Sequence, residues 1–362
     1  MVIKPQLLIV GGGPAGLSAA VSAVRSGVKD ILLLERNPNL GGQLIKQTHM
    51  FFGSQKQYAS YRGFDISNIL LKELKEYPDS ITIKTQATVL GIYEDGMVSA
   101  QIDDDYVKIL PQRIILATGA NEKMVAFMGN DLPGVYGAGA VQTLMNVYGV
   151  KPANKVLMVG AGNIGLIVSY QLLQAGVDVA AVVTTTKVSG YQVHASKLAR
   201  MGVPIMAGYT IKEAKGDEFV TSAVISKVDK NREFIEGTEI EMEVDAVCIS
   251  TGLSPLVELL SQVGGQTKYV TELGGYVPLR NKEYRTTVPN IFVAGDITGI
   301  EEASSAMVEG SIAGMYCAKD LGYEMNNFDL IVKDLYDQLD DLRKGPHSTR
   351  LLEGIGKVII NE

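Results

Sequence analysis

The chain has 362 residues, enough for about two domains and a sizeable core. Its formal net charge of −7 argues against nucleic acid as a main partner. No stretch approaches the ~20 consecutive apolar residues that a membrane span needs, so none is expected.

The first predicted element is a strand, Leu7 to Val10, an unbroken apolar run of the kind buried on both faces of a parallel sheet. It lacks a basic leader and runs into three glycines, which reads as a strand rather than a secretory signal. The cytoplasm is the expected compartment. The glycines belong to Gly11-Gly12-Gly13-Pro14-Ala15-Gly16, with the spacing Gly11-x-Gly13-x-x-Gly16. A small-residue helix is expected from Leu17 to Ser26, then a second strand, Ile31 to Leu34, ending on Glu35 and Arg36. In such a unit the first glycine makes the tight turn, the second admits a pyrophosphate, and the third lets helix lie on strand. The helix N-terminus favours the anion. Glu35, 19 residues after Gly16, stands where a carboxylate can accept both ribose hydroxyl protons. Strand, glycines, helix, strand and acid in this order point to an adenine dinucleotide.

A turn follows, Asn37 to Gln43, with a second glycine pair at Gly41-Gly42 that lets backbone lie against a phosphate or a flat ring. Next come Gln47-Thr48-His49-Met50-Phe51-Phe52-Gly53, then Tyr58, Tyr61, Arg62 and Gly63, a dense cluster in a chain that is 7% aromatic. The segment reads either as a loop covering the sheet or as a wall of a flavin and substrate pocket. His49, Tyr61 and Arg62 are the candidate catalytic residues, and His49 suits proton traffic near neutral pH. From Ile81 to Leu110, short alternating runs predict an antiparallel meander. The buried strand Arg113 to Leu116 then ends at Ala117-Thr118-Gly119.

The plan then repeats. Val156 to Val159 leads into Gly160-Ala161-Gly162-Asn163-Ile164-Gly165, a helix through Gln174 and a strand from Val177 to Val183. Short runs follow between Val203 and Val244, and Ala246 to Gly252 closes the unit. The strand tip differs, however. It reads Thr184-Thr185-Thr186-Lys187, where NAD would usually meet an acid and NADP an Arg. The alternatives are a nicotinamide dinucleotide, with a slight lean to a phosphate, or a folded unit that binds none.

After Gly252 the chain is expected to return to the first domain through Ile291 to Asp296 and a helix from about Glu302 to Leu321. The fold class expected is α/β, with two Rossmann-like βαβ nucleotide-binding domains, each carrying an antiparallel meander, the second inserted in the first. Residues 1–120 plus 253–325 form one domain, 121–252 the other, and 326–362 a helical tail.

The set of two Gly-x-Gly-x-x-Gly motifs, Glu35, Ala117-Thr118-Gly119 and Gly295-Asp296 resembles the flavoproteins with two dinucleotide-binding domains. These include the thioredoxin reductases and the flavin subunits of dye-linked amine and proline dehydrogenases. The resemblance implies FAD in the first unit and NAD(P)H in the second. It implies FAD contacts at Gly11, Gly13, Pro14, Ala15, Gly16, Glu35, Arg36, Gly42, Gln43, Ala117, Thr118, Gly119, Gly295, Asp296 and Ala303. Asp296 would bond the ribitol chain. The resemblance would also place the helix start from Ile297 to Ala306 beneath the flavin pyrimidine carbonyl, where its dipole stabilises negative charge on the reduced ring. The second nucleotide would meet Gly160, Gly162, Asn163, Ile164, Gly165, Thr184 and Gly252.

The Cys-x-x-Cys of thioredoxin reductase should precede the second motif, and Pro133 to Gln142 stands there instead. Only Cys248 and Cys317 are present, far apart, so disulfide reduction is not expected. No metal site is expected either. Pro133-Gly134-Val135, Gly137 to Ala140, Thr298-Gly299-Ile300 and Glu309-Gly310 look more like the amine-dehydrogenase-type subunits, which often work beside a second polypeptide.

In the tail, Phe328, Ile331, Val332, Leu335, Tyr336, Leu339 and Leu342 repeat at helical spacing, with a stop at Gly345-Pro346. Packing on its own domain is favoured over a partner surface, and Arg350 to Ile360 has no assigned role.

The favoured function is an FAD-dependent oxidoreductase exchanging hydride with NAD(P)H and then with an unidentified acceptor, placement supplying most of the rate. One alternative is the flavin subunit of an amine or amino-acid dehydrogenase complex with a reassigned or empty second site. Another is a non-catalytic flavin-binding scaffold. The electron partner is a small molecule or protein, and assembly is as a homodimer or with a second dehydrogenase subunit.

Overall fold

The computed structural model describes residues 2–51, 54–345 and 348–360. Phe52 and Gly53 of the aromatic segment and Pro346 of the expected helix stop lie outside the described residues. The chain folds as two units, one from residues 1–121 with 254–362 and one from residues 122–253. In chain order the described α-helices are α1 (Pro14–Arg25), α2 (Gly63–Leu74), α3 (Ala138–Asn146), α4 (Asn163–Gln174), α5 (Gln192–Arg200), α6 (Glu258–Gln262), α7 (Ala303–Asp320), α8 (Phe328–Leu342) and α9 (Ser348–Gly356).

The first unit is built on a five-stranded parallel sheet. Its order is 291–293, 113–116, 7–10, 31–34 and 81–84, so the strand entering the glycine turn is central. Leu7 pairs with Ile31 on one side and Arg113 on the other. Alternation sorts the side chains by face. Leu7 and Ile9 join the core under α1, while Leu8 and Val10 join the core under the meander. All four are buried, each stabilising the fold by about 1.5–3 kcal/mol.

The meander is three antiparallel strands, Ala87–Ile92, Val98–Ile102 and Asp105–Ile109. Ile81–Lys84, expected to open it, is instead the parallel edge of the main sheet, paired with Ile31–Leu34. Alternation cannot separate these cases, because an edge strand and a meander strand are both covered on one face.

Helix α1 also starts earlier than Leu17. Gly13 is its N-cap and Pro14 its first residue, where proline's fixed φ suits a helix and its missing N–H costs nothing. Against α1 lies α7, at a distance only glycine allows. A Cβ on Gly310 would meet the Ala15 carbonyl oxygen at 2.1 Å, and one on Gly314 would meet that of Ala19 at 2.4 Å.

The tail belongs to this unit. Helix α8 stops at Leu342, three residues short of Gly345, and packs on α7; Leu339 lies in the core with Tyr284, Ala294 and Ile312. The segment without an assigned role forms α9 and then pairs Ile359 with Arg280. Val358 packs with Val270, Leu273 and Val277.

The second unit repeats the architecture. Its parallel sheet has the order 135–137, 246–249, 155–159, 178–184 and 205–207, with an antiparallel sheet of Tyr209–Lys215, Ser222–Lys227 and Ile240–Glu243. No helix among the described residues is long and apolar enough to cross a membrane.

Candidate functional site

The first unit gathers its glycines, its acid and its closing strand at the C-terminal edge of the parallel sheet. Gly11 has φ +106°, and a Cβ there would lie 2.3 Å from the Ala117 carbonyl oxygen. The turn therefore passes directly over the end of the neighbouring strand. Gly16 is held as tightly, its Cβ position 1.8 Å from the Gly11 carbonyl oxygen. Gly13 differs: a Cβ would meet only the Gly42 Cα, at 3.9 Å, so this position faces open space. No side-chain hydrogen bond caps the helix at Gly13, which leaves its first N–H groups for an anion. Pro14 and Ala15 form the first residues of that helix.

Glu35 is buried, and its carboxylate is fixed by three N–H donors. Gly12 N–H donates to Oε2 at 2.8 Å, while Asn37 N–H and Asn37 Nδ2–H donate to Oε1 at 2.8 and 2.7 Å. Arg36 and Gln43 are exposed. The glycine pair folds back over the turn: Gly41 N–H donates to the Gly12 carbonyl at 2.7 Å, and a Cβ on Gly42 would sit 2.8 Å from the Gly13 Cα. Beneath it Ser67 Oγ is buried without a hydrogen-bond partner. Thr118 Oγ1–H donates to the Leu256 carbonyl at 2.7 Å, and Leu256 N–H to the Gly119 carbonyl. These features fit a dinucleotide diphosphate over Gly13 with its ribose on Glu35. The site thus brings together Gly11, Gly13, Gly16, Glu35, Gly42 and Ala117.

The strand 291–293 delivers Gly295 and Asp296 to the same sheet edge, and Ala303 begins α7 a few residues on. Burial first, then the nearby carboxylates of Glu309, Glu301 and Glu302, push the Asp296 carboxyl up to about 7, against one favourable N–H contact from Glu301. Behind this loop is a buried polar cluster absent from the expectations. Glu309 Oε2 accepts the Gly295 N–H at 3.0 Å and the Thr298 hydroxyl at 2.9 Å. Its Oε1 accepts the Tyr284 hydroxyl at 3.0 Å and Arg343 Nη2–H at 2.7 Å. Arg280 stacks on the Tyr284 ring at 3.9 Å. Of Tyr284, Arg280, Arg343 and Glu309, only Glu309 was singled out in the sequence, as part of Glu309-Gly310.

His49, Tyr61 and Arg62 lie on two facing segments of one loop. Phe51 N–H donates to the Tyr61 carbonyl, Met50 bridges Arg62, and the Arg62 guanidinium donates to the Thr48 carbonyl at 2.5 Å. His49 is half-buried and stacks near Phe51 with ring centroids 6.1 Å apart, whereas Tyr61 is 50% exposed. The arrangement assigns no acid or base.

The second unit reproduces the phosphate turn. Gly160 has φ +119° and packs on the Ser250 carbonyl, Gly165 packs on the Gly160 carbonyl, and a Cβ on Gly162 would meet only Ser189 Oγ at 3.8 Å. Asn163 begins α4 and its Oδ1 accepts the Tyr191 N–H at 2.8 Å; Ile164 and Gly252 are exposed. The covering backbone is Ser189-Gly190, both N–H groups donating to the Ala161 carbonyl. Thr184 ends its strand with no carboxylate in the place of Glu35. Where a redox pair would stand, α3 begins, and Glu122 accepts the Gly139 N–H at 2.7 Å. Both cysteines are free and buried, and burial pushes both thiols well above their ordinary range. No metal-ligating cluster is present among the described residues.

A family model described as pyridine nucleotide-disulphide oxidoreductase matches residues 5–310. The alpha chain of sarcosine oxidase from a Corynebacterium species is 27% identical over 339 residues, covering 89% of this chain and 33% of that one. An opine oxidase subunit from Agrobacterium tumefaciens is 27% identical over 335 residues, covering 87% of this chain and 66% of that one. The chain thus spans about a third of the first relative and two thirds of the second. Among solved structures, the thioredoxin reductase of T. acidophilum aligns with a TM-score of 0.70 at 23% identity, over 88% of this chain and 98% of that one. That likeness establishes the shared two-domain fold.

Proposed function

The chain belongs to the pyridine nucleotide-disulphide oxidoreductase family and is an FAD/NAD(P)-dependent oxidoreductase, and from that premise we propose that it works as the flavin-bearing subunit of an assembly that oxidises an amine or an amino acid. FAD occupies the first unit in this reading, a pyridine nucleotide the second. A companion subunit brings or completes the amine site.

The observation that carries the reading is that both phosphate turns are built while no thiol pair stands near either. Cys248 and Cys317 are buried in different units, so the chain offers electrons no disulfide of its own. The relatives support the amine side, being named as subunits of sarcosine and opine oxidases.

Bound FAD supplies the hydride chemistry. The chain supplies placement. The uncapped start of α1 and the open face of Gly13 receive the diphosphate. Glu35, already oriented by three N–H donors, keeps lone pairs for the ribose hydroxyls. Asp296, whose carboxyl burial pushes up to about 7, would hydrogen-bond the ribitol chain. His49, Tyr61 and Arg62 face the amine in this reading.

A second reading is favoured by the strand tip at Thr184: without a carboxylate there, the second turn holds an adenine nucleotide that takes no hydride. Anaerobic mixing of the yellow protein with NADH, NADPH and a panel of amines and amino acids separates the two. Bleaching by a pyridine nucleotide, and by an amine once the companion subunit is present, supports the main reading. Bleaching by amines alone supports the second. Bleaching by neither, with or without a companion, overturns both.

A further inference from the structure

The family model ends at residue 310, yet the buried cluster behind the Gly295–Thr298 loop is completed by a side chain from near the end of the chain. We propose that Arg343 is a positioning residue for the flavin, acting through Glu309 to hold that loop in one conformation. The proposal rests on the reading that the first unit carries FAD.

Glu309 is 2% exposed and binds the loop at two points, through the Gly295 N–H and the Thr298 hydroxyl, both on Oε2. Its other oxygen takes the Tyr284 hydroxyl and Arg343. Arg343, itself 9% exposed, also grips Glu301, with Nε donating to Oε2 at 3.0 Å and Nη2 to Oε1 at 2.5 Å. Glu301 in turn directs its N–H towards Asp296. One guanidinium therefore ties together both ends of the segment from Gly295 to Glu301. Burial works against the Arg343 charge, yet Glu309 and Glu301 hold it firmly protonated.

The electrostatics make this arginine hard to replace. Three carboxyl groups, Asp296, Glu301 and Glu309, lie close enough to influence one another. Among the described residues a second cation, Arg280, reaches Glu309 only at 4.0 Å. A buried carboxylate stripped of its partner either takes up a proton or swings towards water, and in both cases its hold on the loop N–H and hydroxyl weakens. Helix α8 extends the effect further. Gln338 accepts from Gln57 at 2.5 Å, and Asp334 pairs with Lys56 at the same distance, so the helix that presents Arg343 also anchors the loop carrying Tyr58 and Tyr61.

The test uses the full-length protein, stripped of and re-titrated with FAD. Arg343→Met should weaken FAD binding ~30-fold and alter the visible circular dichroism of the bound flavin. Arg343→Lys, which keeps the charge but not the fork, should recover most of the affinity and the wild-type band shape. Val332→Ala, on the buried face of α8 but away from the cluster, supplies a matched loss of melting temperature with FAD affinity unchanged. Should Arg343→Met fail to fold, Glu301→Gln takes its place, with ~5-fold weaker binding expected. Wild-type affinity and dichroism in Arg343→Met, or in Glu301→Gln where that variant takes its place, would overturn the proposal. So would an equal loss of affinity in Val332→Ala. A wild-type protein that takes up no FAD would instead sink the reading of the first unit, a separate and visible failure.

Discussion

Substituting Gly13 by alanine separates folding from nucleotide binding. Gly13 has φ −79° and ψ −171°, extended backbone that any residue adopts, and the new Cβ meets only the Gly42 Cα at 3.9 Å. Alanine is a poorer N-cap than glycine by about 0.5–1 kcal/mol. It also restricts the unfolded chain, a gain of about 0.4–1 kcal/mol. The two nearly cancel, so the melting temperature of the FAD-free protein should stay within about 2 °C of wild type. For the ligand the methyl group is costly, because it fills the space above the turn. Overpacking of about 1–3 kcal/mol, with an N–H contact of about 1 kcal/mol lost, predicts FAD binding ~100-fold weaker. Gly16→Ala is the contrast, since its Cβ would lie 1.8 Å from the Gly11 carbonyl oxygen and must drive α1 off the sheet. That variant should lose stability before affinity can be measured. Fluorescence titration with FAD and a melting curve suffice. If Gly13→Ala binds FAD within threefold of wild type, the diphosphate does not lie over this turn. If it melts as early as Gly16→Ala, the assignment of which glycine faces open space is refuted.

The same logic applied to the second unit predicts that Gly162→Ala, whose Cβ meets only Ser189 Oγ at 3.8 Å, abolishes reduction by NAD(P)H and leaves FAD content unchanged; loss of FAD as well would contradict it. Asp296 titrates near 7 when folded and near the ordinary carboxylate value when unfolded, so between about pH 4 and 7 the native state binds more protons. Stability of the FAD-free protein should therefore fall as pH rises through that window, by at most ~1.4 kcal/mol per pH unit from this group, and Asp296→Asn should flatten the slope. Parallel pH profiles for the two proteins would show the group is not the source. Both thiols are buried, so a disulfide reagent at neutral pH should label neither Cys248 nor Cys317 until the protein is denatured. One fast-reacting thiol in the native protein would reopen thiol chemistry.

Elements whose residues are fixed by local geometry were readable from the chain alone. Two units followed from the repeat of strand and glycine turn, and the insertion of one in the other from the return of the chain through Ile291 to Asp296. Leu7 to Val10 was readable because a strand covered on both faces has no polar register. Ile81–Lys84 was not, because its place at the edge of the parallel sheet depends on pairing with Ile31–Leu34, a distant segment. Tyr284, Arg280 and Arg343 were hidden for a related reason. Each is an ordinary residue in its own stretch, and the cluster exists only once α8 has folded back on α7. Arg343 left one trace: it follows directly on the C-terminal turn of a helix whose other charges at that end, Asp337, Asp340 and Asp341, are acidic.

The covering loop left a clearer trace, and it bears on how the two units divide their work. Gly41 follows Gly16 by 25 residues, and Gly190 follows Gly165 by the same 25. The structural roles match. Gly41 N–H donates to the Gly12 carbonyl at 2.7 Å, and Gly190 N–H donates to the equivalent Ala161 carbonyl at 2.9 Å. Turn, helix start and covering glycine are thus duplicated as a set, which is what a diphosphate needs and all that it needs. The strand tip is not duplicated: Glu35 with its three N–H donors has Thr184 as counterpart. A diphosphate is common to every dinucleotide, whereas the strand tip meets the ribose and any phosphate on it. On the proposed reading, discrimination between nucleotides rests on the strand tip, where the two units differ by a carboxylate. Substituting Thr184 by an acid should shift the second unit towards NADH, and leave the first untouched.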